Sequence, residues 1–233
     1  MDPIILHQFQ ISPYCEKIRK VLDYKGLPYV RVEAPMEARP EIKRRTGRTK
    51  VPVIVVGDQW VSDSTTICEW LDERFPDKPI HPKGQREGAL NALLEDWADE
   101  AFSSTLQPFK WCQGDNAQKL MQINAERYPR SLKNRALQIA GGRVLVYQMR
   151  QLANARGGWK ANAELFDYQL DRLNELLAEA PFIFGPEPMS ADFAVYGLIR
   201  MFEGCEGFDH IERRPHVIRM VQTLAAVPSA CKD

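Results

Sequence analysis

Residues 12–19 have the sequence Ser12-Pro13-Tyr14-Cys15-Glu16-Lys17-Ile18-Arg19. They follow the short apolar run Ile4-Ile5-Leu6, which is typical of a strand, and they begin an amphipathic helix. A hydroxyl and a thiol therefore lie at or near a helix N-terminus, where unpaired backbone N–H groups and the helix dipole favour an anion. A thiolate is such an anion, because the pKa of a thiol falls at this position. The thiolate belongs either to Cys15 or to a thiol ligand bound beside Ser12.

The first third of the chain alternates strand and helix patterns. Apolar residues recur with helical spacing from Pro13 to Lys25, and Gly26 is placed to end that helix. Further along, the patterns indicate a strand over 28–32, a short basic helix over 40–45, strands over 51–56 and 59–61 joined by a tight turn, and a helix capped by Asp63 or Ser64. The predicted order is β-α-β-α-β-β-α.

The pattern changes near residue 76. Three prolines and a glycine fall within residues 76–84, a composition typical of a linker. Beyond it, apolar residues follow helical spacing alone. The sequence therefore predicts an α/β domain at residues 1–76, a linker at 77–87 and an all-α domain at 88–233.

Composition excludes several classes of function. Lysine plus arginine and aspartate plus glutamate both number 31, so no net charge is available to hold nucleic acid or an anionic membrane. No apolar run approaches the roughly 20 residues that span a bilayer. The 5 cysteines are scattered without metal-ligand spacing, and no signal-peptide pattern precedes them. We expect a soluble cytoplasmic protein with reduced thiols and no metal.

Pro52 lies inside a run that otherwise predicts a central strand, where proline gives up a ladder hydrogen bond. A cis Val51–Pro52 bond at the start of the strand would explain its presence. The backbone N–H and C=O of Val51 would then be free to pair with an extended peptide ligand. The alternative is a trans proline on an edge strand.

The pair Asp63-Ser64 precedes a predicted helix. The serine hydroxyl and the helix N-terminus suit a carboxylate, while Asp63 suits an ammonium, so together they suit an amino-acid head group. An ordinary helix N-cap is the alternative. Lys50 is placed to balance a second carboxylate, or is simply a solvated lysine.

In order and spacing these motifs resemble the cytosolic glutathione transferase superfamily. The resemblance rests on the S-P-Y-C helix start, K-V-P-V at 50–53 and D-S at 63–64, and it extends over essentially the whole chain. The motifs are most similar to those of serine-type transferases such as the tau class; the omega class and glutaredoxins have cysteine where this chain has Ser12. The resemblance implies a thioredoxin-like N-terminal domain, an all-α C-terminal domain and a homodimer.

The resemblance also implies a glutathione transferase of the detoxification type, with glutathione as co-substrate and no metal. Ser12 matches the catalytic residue whose hydroxyl hydrogen-bonds the glutathione sulfur. The residues that match glutathione contacts are Lys50, Val51, Asp63 and Ser64. The second substrate is expected to be a small hydrophobic electrophile, bound between the domains in a pocket that includes Tyr14 and Trp111.

Two alternatives stay open. A thiol transferase or reductase would use Cys15 as its nucleophile and form a mixed disulfide with glutathione. However, Cys15 falls one turn into the helix beside its apolar stripe, where burial would raise its pKa, so Ser12 is favoured. The second alternative is a non-catalytic binding module with the same fold. The sequence does not identify the electrophile.

Overall fold

The computed structural model describes residues 2–34, 39–126 and 132–232, without the side chains of 124–126 and 132–140. The elements of the first part are β1 (Ile4–Gln8), α1 (Pro13–Lys25), β2 (Tyr29–Glu33), α2 (Arg39–Thr46), β3 (Val53–Val56), β4 (Gln59–Ser62) and α3 (Ser64–Arg74). The predicted order β-α-β-α-β-β-α is confirmed, and the element ends lie within two residues of the prediction.

The four strands form one mixed sheet in the order β2-β1-β3-β4. β1 is parallel to β2 and antiparallel to β3, and β3 and β4 form a hairpin. β3 is apolar throughout and almost entirely buried, as expected of a strand with neighbours on both sides. A tight turn at Gly57, with φ +57°, leads into β4.

Helix α1 has its ends where local sequence signals predict them. Ser12 is the N-cap, Pro13 is the first helical residue, and Gly26 ends the helix with φ +68°. The N–H of Gly26 bonds to the carbonyl of Asp23, which satisfies a backbone acceptor in the last turn. The helix therefore starts within the loop that follows β1.

From residue 85 the described elements are helices. They are α4 (Gln85–Asp96), a π-helix (Trp97–Phe102), α5 (Ser103–Cys112), α6 (Asn116–Glu126), α7 (Leu132–Ala155), α8 (Trp159–Leu176), α9 (Ser190–Arg200), α10 (Asp209–Glu212) and α11 (Pro215–Ala225). An α/β part followed by an all-α part confirms the predicted fold class. The loop between α3 and α4 lies where the linker is expected, and the domain limits 76 and 88 stay predictions. None of the described helices is both long enough and apolar enough to cross a membrane.

The two parts share one apolar core, at the centre of which α9 packs on α1. Residues 190–199 of α9 are all buried. Gly197 permits this contact, because a Cβ there would lie 2.4 Å from the carbonyl oxygen of Pro13. The head of α1 is thereby held against the helical part.

Candidate functional site

Ser12 is placed at the head of α1 by the loop that leaves β1. Its N–H bonds to the carbonyl of Phe9 at 3.0 Å, and its Oγ accepts from the N–H of Cys15 at 3.4 Å. The long Oγ contact is a weak cap, and a hydroxyl has one donor and two acceptor sites. The half-buried Ser12 therefore has hydrogen-bonding capacity left at a helix N-terminus.

Cys15 lies in the core. Its exposed fraction is 0%, and its Sγ accepts from the N–H of Phe9 at 3.4 Å. Burial raises the pKa of the Cys15 thiol, although the Ser12 hydroxyl and the Phe9 N–H oppose that effect. The thiol is therefore protonated at neutral pH and shielded from solvent, as a structural cysteine is.

The Val51–Pro52 bond is cis, the first of the two alternatives that the sequence left open. His7 of β1 pairs with Val53 of β3, so Val51 falls at the end of the sheet where the chain leaves β1 towards Ser12. In the described part of the chain, the N–H and C=O of Val51 have no hydrogen-bond partner. They are thus available to a ligand beside the head of α1.

Asp63 lies at the same end of the sheet, because Ser62 pairs with Val53. Its Oδ1 accepts from the N–H groups of Thr65 and Thr66 at 3.2 and 3.4 Å, which makes it the N-cap of α3. Its φ of +84° is rare for a residue other than glycine, and such strain is frequent at ligand sites. Ser64, the first residue of α3, is 7% exposed.

Arg48 is a site residue that the sequence did not reveal. Its Nη1 lies 2.8 Å from Oδ2 of Asp63, and both side chains are solvent-exposed. The carboxylate that was expected to meet a ligand ammonium therefore already has a cation beside it. Lys50 is also exposed, on the loop just before Val51.

Tyr14 and Trp111 lie between the two parts of the chain or in their shared core. The Tyr14 hydroxyl donates to the carbonyl of Asp99 at 3.2 Å and lies 3.4 Å from Oγ of Ser103. Trp111 is 6% exposed, and its Nε1 donates to Gln107 at 3.1 Å. Their role in lining a second-substrate pocket stays a prediction.

A buried ionic network, which the sequence did not reveal, ties the heads of α1 and α3 to the helical part. Nζ of Lys17 lies 2.6 Å from Glu95 and 3.5 Å from Asp99. Thr65 donates to the same Glu95 oxygen at 2.8 Å, and Ser190 hydrogen-bonds the other. Lys17 on the apolar side of its helix was the available signal.

Lys17 and Glu95 are both charged at neutral pH, whereas burial raises the pKa of the Asp99 carboxyl. Burial opposes the charge on Lys17, but the carboxylates around it prevail and raise its pKa. Burial likewise opposes the charge on Glu95, yet Lys17 and the hydroxyl donors lower the pKa of that carboxyl. The network is therefore a buried ion pair.

Lys110 is a second buried lysine that sequence reasoning missed. It lies on α5, and its Nζ donates to the carbonyl of Ile11 at 3.1 Å, next to Ser12 in the chain.

Among the described residues, no group of histidine, cysteine, aspartate or glutamate side chains has the arrangement of a metal site.

The described geometry gathers four kinds of group at one end of the sheet. These are a hydroxyl at a helix N-terminus, an unpaired backbone N–H and C=O, a carboxylate, and a second helix N-terminus that begins with serine. Such a set suits an extended peptide that has a thiol in its middle and an amino-acid head group at one end.

Comparisons with known proteins point the same way. Residues 6–79 match the family described as glutathione S-transferase, N-terminal domain. Over 99% of its length the chain is 25% identical to prostaglandin E synthase 2 of Mus musculus, of which the match covers 74%. It is 24% identical to the isoprene-epoxide–glutathione S-transferase of Rhodococcus sp. (strain AD45), over 92% of this chain and 91% of that protein. It is 31% identical to glutathione S-transferase U2 of Arabidopsis thaliana, over 42% and 45%.

Solved structures share the whole fold. The glutathione transferase GSTFuA3 of Phanerochaete chrysosporium matches with a TM-score of 0.73 at 18% identity, over 98% of both chains. A glutathione S-transferase of Methylobacterium radiotolerans, in complex with glutathione sulfonate, matches with a TM-score of 0.65 at 22% identity, over 98% of this chain and 92% of that one.

Proposed function

We propose that this chain, whose residues 6–79 match the glutathione S-transferase N-terminal domain family, is a glutathione transferase in which Ser12 activates the glutathione thiolate. The observation that carries the proposal is the convergence of Ser12, Val51 and Asp63 at one end of the sheet. The thiolate then attacks a small hydrophobic electrophile.

Glutathione is held in an extended form along this end of the sheet. The backbone of Val51 pairs with its cysteinyl part, as an added strand would. Asp63 and Ser64 hold the γ-glutamyl head group, with the ammonium near the carboxylate and the carboxylate at the start of α3. Lys50 is close enough in the chain to meet the glycine carboxylate.

The thiol is activated by hydrogen bonding and by the helix N-terminus. The Ser12 hydroxyl donates to the sulfur, and the first turn of α1 adds its partial positive charge. Lowering the thiol pKa from about 8.5 to about 6–7 needs roughly 2–3 kcal/mol of differential stabilisation. The thiol proton passes to solvent, a carbon–sulfur bond forms, and the electron pair leaves with the leaving group or opens a strained ring.

The relatives support the same chemistry. One has a name that describes transfer of glutathione to an isoprene epoxide, and one solved structure holds glutathione sulfonate. Another relative, prostaglandin E synthase 2, has a name that describes a different reaction, so the identity of the electrophile is left open. A homodimeric cytoplasmic enzyme, with no nucleic-acid or membrane partner, is part of the proposal.

The burial of Cys15 argues against the thiol-transferase alternative, because a nucleophile must reach its substrate. Three assays on the purified protein separate the readings. The proposal predicts retention on glutathione-agarose and conjugation of glutathione to an activated aryl halide. Hydroxyethyl-disulfide reduction without conjugation would instead indicate a reductase, and retention without either reaction would indicate a binding module. Absence of binding at millimolar glutathione would overturn the proposal.

A further inference from the structure

A fully buried cation lies behind the head of α1. Lys110 is on α5, its exposed fraction is 1%, and its Nζ donates to the carbonyl of Ile11 at 3.1 Å. Ile11 is bonded directly to Ser12. The ammonium therefore contacts the peptide group that carries the proposed thiolate-binding serine.

The charge on Lys110 lacks a carboxylate partner in the part of the chain that the structure describes. The titratable group that faces it is the Cys205 thiol, whose own pKa is raised by burial, so this thiol is neutral at pH 7. The Trp111 ring centroid lies 5.8 Å from Nζ. Burial lowers the pKa of Lys110 to about 7. A buried ammonium without an anion is unfavourable, so a negative charge nearby would stabilise it.

The proposed thiolate is close enough to supply that charge. Standard bond lengths keep the Ser12 Oγ within about 5 Å of the Ile11 carbonyl oxygen, so Nζ of Lys110 lies within about 8 Å of that hydroxyl. The glutathione sulfur would lie about 3.5 Å beyond that hydroxyl, so the two charges would be within about 11 Å of each other. At an effective dielectric constant of about 20, unit charges at that separation change each other's pKa by roughly one unit.

We propose that Lys110 is a positioning residue for the thiolate of bound glutathione, which holds the Ile11–Ser12 peptide in place and supplies a positive charge behind it. The inference deepens the proposed function and rests on the role of Ser12 there. Lys110 acts through the Ile11–Ser12 peptide group. The thiol proton goes to solvent or to the fraction of Lys110 that is neutral near pH 7, and the bound thiolate favours the charged form of Lys110.

The first test is a titration of glutathione bound to variants, followed through the ultraviolet absorption of the thiolate. Lys110→Met removes both charge and donor at similar side-chain volume, and Lys110→Gln keeps an N–H donor without the charge. The control is Lys20→Met, because Lys20 is also buried and donates to a backbone carbonyl, that of Val227, at 3.2 Å, but has a carboxylate partner, Asp23, at 3.2 Å.

We expect Lys110→Met to raise the pKa of bound glutathione by about one unit, a tenfold lower thiolate-to-thiol ratio at a given pH. Lys110→Gln should give a rise of similar sign, because the charge is lost in both variants. Lys20→Met should leave the pKa unchanged. An unchanged thiol pKa in folded Lys110→Met, or a shift no larger than that of Lys20→Met, would overturn the inference.

The second test needs no substitution. Coupling between two protonation sites is reciprocal, so the glutathione thiolate must raise the pKa of Lys110 by as much as Lys110 lowers that of the thiol. The ε-carbon NMR shift of Lys110 would be titrated with glutathione bound and with S-methylglutathione bound, whose sulfur is uncharged. A higher Lys110 pKa in the glutathione complex supports the inference, and equal values contradict it.

Failure of the inference is distinguishable from failure of the proposed function. If the unmodified protein binds glutathione with a lowered thiol pKa and the Lys110 variants share that value, the inference alone is wrong. If the unmodified protein leaves the thiol pKa at its solution value, Ser12 activation is wrong and the inference falls with it.

Discussion

Two buried lysines, one on α1 and one on α5 behind the start of α1, have opposite surroundings. Lys17 is paired with Glu95, within a network that also includes Asp99, Thr65 and Ser190. Lys110 donates to the carbonyl of Ile11 and faces a neutral thiol. The two lysines are equally buried, each 1% exposed, so their electrostatic surroundings differ only through their partners. The Lys17 ammonium has a close carboxylate partner, and its network joins the two parts of the chain. Lys110 has no carboxylate partner among the described residues, and it lies directly behind the proposed reaction site.

The largest effect is expected from breaking the ion pair of Lys17 and Glu95. Glu95→Ala leaves the Lys17 ammonium buried without its main partner, which should cost about 3–5 kcal/mol of unfolding free energy. Denaturant unfolding measures this. Glu41→Ala is the control, because Glu41 pairs with Arg44 on the surface, and its unfolding midpoint should not move. Equal midpoints for Glu95→Ala and the unmodified protein would show that the network is not structural.

The next effect concerns the proposed reaction site at Ser12, in front of Lys110. Ser12→Ala removes the donor to the thiolate and should lower kcat/KM for glutathione conjugation by about 10²–10³-fold, as the loss of one oxyanion donor does. The same variant loses a weak helix cap, so unfolding free energy should fall by only about 1 kcal/mol. Full activity in folded Ser12→Ala would show that the Ser12 hydroxyl does not activate the thiolate.

The pH dependence of stability separates the two lysines. Burial lowers the pKa of Lys110 to about 7 in the folded state, while the unfolded value is the ordinary one near 10.5. The unfolded state then binds more protons between these values, so stability rises with pH. From pH 7 to pH 9 the unmodified protein should gain about 2 kcal/mol relative to Lys110→Met.

Lys17 behaves in the opposite way. Its pKa is raised in the folded state, so its contribution is fully present below the unfolded pKa and stays constant over this range. Denaturant unfolding at the two pH values measures the difference. Parallel pH profiles for the unmodified protein and Lys110→Met would show that Lys110 is not the uncompensated cation described above.

The smallest effect is expected at Cys15. Cys15→Ala removes one buried sulfur and should cost about 1–2 kcal/mol of stability. Conjugation activity should stay within about twofold, since the sulfur is shielded from substrate. Steady-state kinetics beside Ser12→Ala measures this. A dead Cys15→Ala with an active Ser12→Ala would reverse the roles of the two residues.

The sequence predicted the features whose signals are local. Helix α1 begins at the residue after Ser12 and ends before Gly26, because a capping hydroxyl, a proline at the first position and a glycine act within a few residues of the ends. The cis bond before Pro52 was one of two forms left open by a proline inside a strand, and Asp63 was one of two residues expected to cap α3.

Contacts distant in the chain were not predictable in the same way. Lys17 and Glu95 are 78 residues apart, and Lys110 and Ile11 are 99 apart. Each pair meets because the helical part packs on α1, and no local pattern in one sequence records that packing. A lysine on an apolar helix face signals a buried partner but does not name it.

The site is proposed to bind and activate the thiol of a ligand and not that of its own cysteine. A crystal structure with reduced glutathione tests it most directly. We expect the glutathione sulfur within about 3.5 Å of the Ser12 Oγ, a hydrogen-bond distance, with the Cys15 thiol still buried and unmodified. A glutathione sulfur about 2 Å from the Cys15 Sγ, as in a mixed disulfide, would contradict it.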